Sequence, residues 1–237
     1  MYFSNINNVL IDIDGSGNID VLKNLTAKAK VSDALINNAG FYQTITVIDG
    51  ERPDHLSKRL YGTEQYHWTF LLLNPQIKNI WDDWPMKYSQ LVEYCTNKYQ
   101  YLAADTDDSL VDKFVLNETV QGQVSGATGK VKEVHVNMGY VVIEKISGTF
   151  TITGETIYGI NSQDSIACNF IKSQAYAPHH HVDDSTGEWV KRRTAGTTAY
   201  TYIDYESTVT EQNRQLKVIK PSNIRDVSRQ FINAMGG

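Results

Sequence analysis

The spacing of apolar positions changes several times along this chain, and the changes outline its elements. From Gln43 to Ile48 polar residues alternate with β-branched or apolar ones, the period of a half-buried strand. Asp49-Gly50 is a turn pair. Pro53 stands where the first helical position tolerates a missing N–H. Leu56 and Leu60 recur four residues apart and Tyr61 extends their stripe, which predicts a short helix stopped by Gly62. Thr63 is placed to cap a second helix in which Trp68, Leu71 and Leu72 share a face, and Asn74-Pro75 ends it.

Helical spacing returns over residues 86–102, where Tyr88, Leu91, Val92, Cys95, Tyr99 and Leu102 form a stripe opposite Glu93, Asn97 and Lys98. Ala104 to Ser109 reads as a polar linker. Beyond it the helical period disappears. Residues 114–159 hold short alternating stretches such as GKVKEVHV and GYVVIEKI, joined by glycine turns, and predict a small β-barrel or sandwich. They also contain a weak internal repeat, FVLNETVQG echoed by FTITGETIYG. Two strands are expected around the turn Asp183–Gly187, and a last helix capped by Ser222 buries Ile224, Val227, Phe231, Ile232 and Met235. That helix exposes Arg225, Asp226, Arg229 and Gln230. At the other end, VLIDIDGSGNIDVLK reads as a hairpin turning at Gly15–Asn18. A short helix follows within 24–40, with Ser32 as its cap and Leu35 and Ile36 buried.

Composition narrows the classes. The 237 residues are 41% hydrophobic and 21% charged, an ordinary globular balance with room for one or two cores. No apolar run approaches the ~20 residues of a membrane span, and the N-terminus lacks the pattern of a secretory signal. A net charge of −5 argues against nucleic acid as a partner. The basic clusters, Lys28/Lys30 and Lys191–Arg193, are short and read as solvated surface. Cys95 and Cys168 form neither a disulfide framework nor a zinc knuckle, and a buried free thiol is the expectation for each.

Two segments have metal-ligand chemistry. Asp12, Asp14 and Ser16 followed by Gly17 nearly match a calcium loop, but its twelfth position is Lys23, which has no acceptor oxygen, so a hairpin turn is the expected reading. In an extended strand His179 and His181 project to one face and would need Asp183, Asp184 or a distant group to complete a divalent site. A structural role is the expectation there too, as it is for His67. No GxSxG, P-loop, HExxH or Rossmann glycine run is present, and no cofactor is expected. Fourteen Tyr and four Trp concentrate in Tyr42–Tyr101 and Tyr176–Tyr205, a pattern that suits protein interfaces and sugar platforms alike.

The strand–helix–helix unit resembles a LysM domain through Gly50, Glu51, Leu56, Tyr61-Gly62, Tyr66, Trp68, Leu72 and Asn74. In the form GERPDHLSKRLYG followed by YHWTFLLLN it is similar to the baseplate wedge protein 53 family of contractile-tailed bacteriophages. Trp84-Pro85 leading to a helix that ends at Lys98-Tyr99, and the closing EQNRQLKVIKPSNIRDVSRQFINAM, extend the likeness to about residues 24–105 and 205–235. The resemblance implies an α+β fold: a LysM-like βααβ core with flanking helices and a small inserted all-β domain. The expected segments are an N-terminal arm and short helix (1–40), a LysM-like domain with its following helix (41–105), the β insert (110–165), and a β-hairpin and C-terminal helix completing the main body (166–237).

It also implies a non-enzymatic structural subunit of the virion, made in the host cytoplasm. Such a subunit joins neighbouring baseplate wedges, contacts wedge and hub proteins in a six-fold ring, and needs neither membrane nor nucleic acid. Tyr66, Trp68, Trp81, Trp84, Arg225 and Arg229 are the expected core or contact residues. A peptidoglycan-binding LysM module is the alternative; a cell-wall lytic enzyme, or a metal enzyme using the histidines, is weaker still.

Overall fold

The computed structural model of the chain describes residues 8–12, 15, 17–23 and 40–236. Lys28, Lys30 and the helix expected before Gly40 lie outside them, as do the side chains of Ile232 and Met235. In chain order the elements are β1 (Asn8–Ile11), β2 (Asp20–Lys23), β3 (Tyr42–Thr46), α1 (Pro53–Tyr61), α2 (Thr69–Leu73), α3 (Tyr88–Lys98), β4 (Leu102–Asp105), β5 (Thr119–Gly122), β6 (Thr128–His135) and β7 (Tyr140–Ser147). There follow β8 (Thr156–Gly159), β9 (Ser165–Ala167), β10 (Phe170–Ser173), β11 (Pro178–Asp183), β12 (Trp189–Val190), β13 (Thr197–Thr201), α4 (Tyr202–Asn213), β14 (Gln215–Ile219) and α5 (Ile224–Gly236). The class is α+β, and among the described residues no helix is long and apolar enough to cross a membrane. The chain divides into two units, residues 1–86 with 210–237, and residues 87–209.

In the first unit β1 and β2 form an isolated antiparallel hairpin. β3 pairs antiparallel with β14, from Tyr42↔Ile219 to Thr46↔Gln215. α1 follows its local signals: Pro53 opens it, Lys58 and Arg59 sit in its last turn, and Gly62 closes it at φ 76°, a left-handed conformation that glycine adopts without strain. The second helix differs from expectation. Thr63 caps only a 3-10 turn, Glu64–Tyr66, and α2 restarts at Thr69. The restart shifts the helical phase, so Phe70 and Leu73 are buried while Leu71 and Leu72 are half-buried. Val47, Leu56, Phe70, Ile77, Trp84, Leu216 and Val218 make the core.

Asn74 joins α2 to the sheet. Its buried amide donates to the carbonyls of Phe70 (2.7 Å) and Lys217 (2.9 Å), and its oxygen accepts the Lys217 N–H at 2.9 Å. Asn74→Asp keeps the shape but replaces two donors with charge facing two carbonyls. We expect it to cost this unit about 2–4 kcal/mol. Urea unfolding followed by tryptophan emission checks this; an unchanged midpoint would contradict it.

The second unit is larger than the expected insert of 110–165. Its seven-stranded sheet runs β10-β4-β7-β6-β5-β8-β9, every neighbour antiparallel. Only Cys168 and Asn169 separate β9 from β10, so the segment 165–173 pairs with β8 at its start and β4 at its end and closes the sheet into a barrel. Val120, Val131, Val141, Ile143, Ile157 and Ile166 are among the residues filling it.

The expected linker at Ala104–Ser109 therefore begins inside the barrel wall. Ala104, Asp105 and Thr106 are buried, and Asp105 is held by Arg193 (3.1 Å) and Asn169 (3.0 Å). The helix expected over 86–102 is shorter: it ends at Lys98, and Leu102 already belongs to β4. Tyr88, assigned to its apolar stripe, is exposed. Residues 166–209, expected in the main body, belong to this unit, and only 210–237 joins the first. The wall's pairing claims β9 and β10 at distances in sequence that local patterns do not encode.

The internal repeat has a structural meaning. Glu118 and Glu155 are buried, and each receives hydrogen bonds from the turn that follows the other repeat's strand. Glu155 accepts from the amides of Val124 (2.9 Å) and Ser125 (3.2 Å), just past β5. Glu118 accepts from those of Asn161 (3.1 Å) and Ser162 (3.0 Å), just past β8. A Cβ on Gly122 would lie 2.9 Å from the Glu155 carboxylate, and one on Gly159 2.8 Å from that of Glu118. The shared E-T-V/I-x-G-x-x-S pattern is thus a reciprocal clamp.

Burial works against charge on both carboxyls, but the hydrogen bonds outweigh it. Those from Ser162, Val115 and Asn161 hold Glu118 below the usual carboxylate range; those from Ser125, Val124, Thr151 and Thr156 do so for Glu155. A lowered folded-state value means stability that is fully present above the ordinary carboxylate range and lost as pH falls through it. The barrel is expected to be flat in stability from pH 7 to about 5 and to weaken below about 4.5, as acid titration of its circular dichroism would report. Stability unchanged down to pH 3 would exclude the clamp as a source.

Candidate functional site

The most exposed tryptophan among the described residues stands on a hydrogen-bonded turn. Trp81 is 84% exposed on the loop between α2 and Lys87. Asn79 accepts the Trp81 N–H at 3.0 Å, and its side-chain amide donates to Asp82. The Asp83 carboxylate accepts the amides of Lys78 and Asn79, each at 2.8 Å. The flanks are anchored as well. Ile77 and Trp84 lie in the core, Asn213 donates to the Asp83 carbonyl at 2.8 Å, and Arg214 donates to the Met86 carbonyl at 3.3 Å. A large ring is thus held out from a turn whose backbone is already ordered, so docking it costs little conformational entropy. Trp81 stands out in the sequence as an aromatic contact residue; Asn79 and Asp83 do not, although their side chains are the turn-forming type that signals such a loop.

The other expected contact residues separate. Trp84 is 6% exposed, packs near Phe70 and donates its indole N–H to the Glu51 carbonyl at 2.7 Å. It is a core residue. Glu51 in turn receives Arg59 through two bonds of 2.7 and 2.8 Å. Tyr66 is half-buried, edge-on to Tyr61, whose hydroxyl donates to the Ile219 carbonyl at 2.9 Å; burial pushes the Tyr61 phenol up to about 12. Trp68 is half-buried, its ring 4.7 Å from that of Phe231, so it seats α5. Arg225 and Arg229 are exposed on α5 while Ile224, Val227 and Phe231 are buried. Trp81 with this arginine face is what remains available for contact.

Among the described residues neither metal candidate is seen assembled. Asp12 accepts the Gly17 N–H at 2.9 Å within its turn, and Asp14 and Ser16 lie outside the described residues. In the sheet β12-β11-β13 a register shift between Pro178 and His180 breaks the strand alternation. His179 and His181 are therefore not a facing pair. The bulge instead brings His179 Nδ1 to 2.9 Å from His180 Nδ1. Asp183 is taken up by its own turn with Ser185 and Thr186, and Asp184 by Thr198. Among the described residues no group of three or more His, Cys, Asp or Glu side chains could hold a metal ion. His67 is exposed, its Nδ1 2.8 Å from the Glu64 carbonyl.

Both thiols are buried, and burial pushes Cys95 up to about 11 and Cys168 to about 12, outside the range of a reactive nucleophile. A groove of about 590 Å³ in the second unit is lined by Asp107, Asp108, Leu110, Asn137, Arg192 and Arg193, among others. Three of these four charged side chains serve the fold: Arg193 binds Asp105 and Asp107, and Asp108 accepts the Ala167 N–H; Arg192 is exposed. No protein-family model matches this chain, and no curated protein matches it.

Proposed function

We propose that this chain is a non-catalytic structural subunit of a contractile phage tail baseplate wedge, in which a LysM-like βααβ core serves as an adhesive between protein subunits. The observation that carries the reading is the tethered turn that holds Trp81 in solvent. A rigid exposed indole is the residue type and geometry of an interface hot spot. The strand order supports the core: β3, α1 and α2 precede a long excursion, and β14 then returns to pair with β3. Asn74, the residue matching the end of the LysM pattern, makes that closure. Partners are other wedge and hub proteins, with copies set in a closed heterologous ring whose interfaces each bury at least ~1,000 Å². The place of action is the virion.

Co-expression with the other proteins of a phage tail operon, followed by size-exclusion chromatography, tests this. Co-elution that is lost in Trp81→Ala supports it. Retention on purified cell-wall sacculi, with no association to any tail protein, overturns it in favour of the glycan-binding alternative.

A further inference from the structure

We propose that the histidine run of β11 is a proton-operated latch: neutral, it holds the sheet β12-β11-β13 closed, and protonated, it opens that sheet and detaches Trp189, already 65% exposed, from the His180 ring. His180 and His181 are 5% and 3% exposed, and each keeps one ring nitrogen, Nε2 of His180 and Nδ1 of His181, without a hydrogen-bond partner among the described residues. An unpartnered buried polar atom is rare in a fold and calls for a reason. An imidazole lone pair tolerates such a place; a charged N–H donor does not. The bulge sharpens the constraint, since two Nδ1 atoms 2.9 Å apart have room for one proton between them. A second proton sets two N–H groups against each other.

The surroundings offer the cations aromatic faces, Tyr205 on His179 and Trp189 on His180, but among the described residues no unengaged acid. His179 stacks on Tyr205 at 4.2 Å and meets Tyr202 edge-on, both from α4. The acid on α4 that favours a charged His179 is Glu206, already bound by Lys98 at 2.8 Å and by the Tyr99 hydroxyl at 2.6 Å. His180 lies 3.9 Å from the Trp189 ring of β12 and 4.7 Å from that of Tyr200 in β13, with His179 and His181 as its charged neighbours once protonated. His181 faces the Arg193 guanidinium, which opposes a further positive charge, and Asp105, which Arg193 and Asn169 already occupy. Burial depresses all three imidazoles below the ordinary histidine value. A depressed folded-state value means that the closed sheet is at full strength above about 6.5 and loses strength as pH falls below it. β12 is two residues long and is held through Val190↔His181 and Trp189↔Val182, so it is the first strand to leave.

Amide hydrogen exchange on the full chain between pH 7.5 and 5.0, corrected for intrinsic rates, tests the latch. Protection of residues 179–183 and 197–201 should fall about tenfold per pH unit for each histidine that takes up a proton, while β5 and β8 hold their protection above pH 5. His180→Phe, which keeps a ring against Trp189 but has no proton to gain, should flatten that dependence. Equal protection of the two segments at both pH values, or the same loss in His180→Phe, overturns the proposal. Imidazole NMR titration of the unmodified chain reads it independently of any variant. Three separate titrations near 6.5 with the sheet still closed would end it; joint titration below that value with loss of protection supports it.

Discussion

Glu155→Ala is expected to remove about 3 kcal/mol from the barrel unit, and Glu118→Ala about the same. Glu155 accepts four backbone amides, from Val124, Ser125, Thr151 and Thr156, at 2.9, 3.2, 3.2 and 3.2 Å. Truncation leaves those amides without an acceptor, at about 1–3 kcal/mol for each that water cannot reach. Val124 is exposed, so water replaces part of the loss, which sets the expectation well below the sum. Calorimetry should show the barrel transition about 10 °C lower, given roughly 3 °C per kcal/mol for a unit of this size. Glu155→Gln retains one acceptor oxygen but points an amide at amides, and about half the effect is expected. A loss under about 1 kcal/mol for both alanine variants would mean that the turns, not the carboxylates, hold the repeat together.

Trp81→Ala should leave folding unchanged within about 0.5 kcal/mol and weaken association with the tail partner proposed above by about thirtyfold or more, the roughly 2 kcal/mol or above of a central hot spot. The two halves of that expectation come from one fact: the indole touches solvent while its backbone is fixed by Asn79 and Asp83. Trp84→Ala provides the contrast. It empties a core position and strands the Glu51 carbonyl, so it should unfold the unit and lose binding together. Arg225→Ala and Arg229→Ala should act more weakly and chiefly at low salt, as rim charges do. Isothermal titration with the co-purifying partner separates these cases, and undiminished affinity in Trp81→Ala would remove the turn from consideration as an anchor.

Much of the first unit could be read along the chain, because short-range rules decide it. Pro53 and Gly62 bracket α1 through backbone geometry, and the alternation after Gln43 makes a strand in any context that covers one of its faces. The faces of α5 follow from spacing alone, and Arg225 and Arg229 are exposed as that spacing predicts. Trp81 and Trp84 look alike in sequence, three residues apart in one loop, yet one is the most exposed indole and the other is core. The difference lies in Glu51, which supplies the indole of Trp84 with an acceptor from 33 residues away.

The histidine run failed as a facing pair for a related reason: one extra residue in β11 opposite β13 rotates His179 toward its neighbour, and a bulge is a property of two strands. Asp105 read as linker because it is polar, and it is buried because Arg193, 88 residues on, neutralises it. Residue spacing settles which stretches coil or extend, since those choices are made within a few bonds. It took the folded chain to bring Thr46 beside Gln215, 169 positions later, to close β9 and β10 around the barrel, and to cross-link two glutamates to each other's turns. Those pairings depend on which distant donors and acceptors meet, and hydrogen bonds between remote segments leave no period in the order of residues.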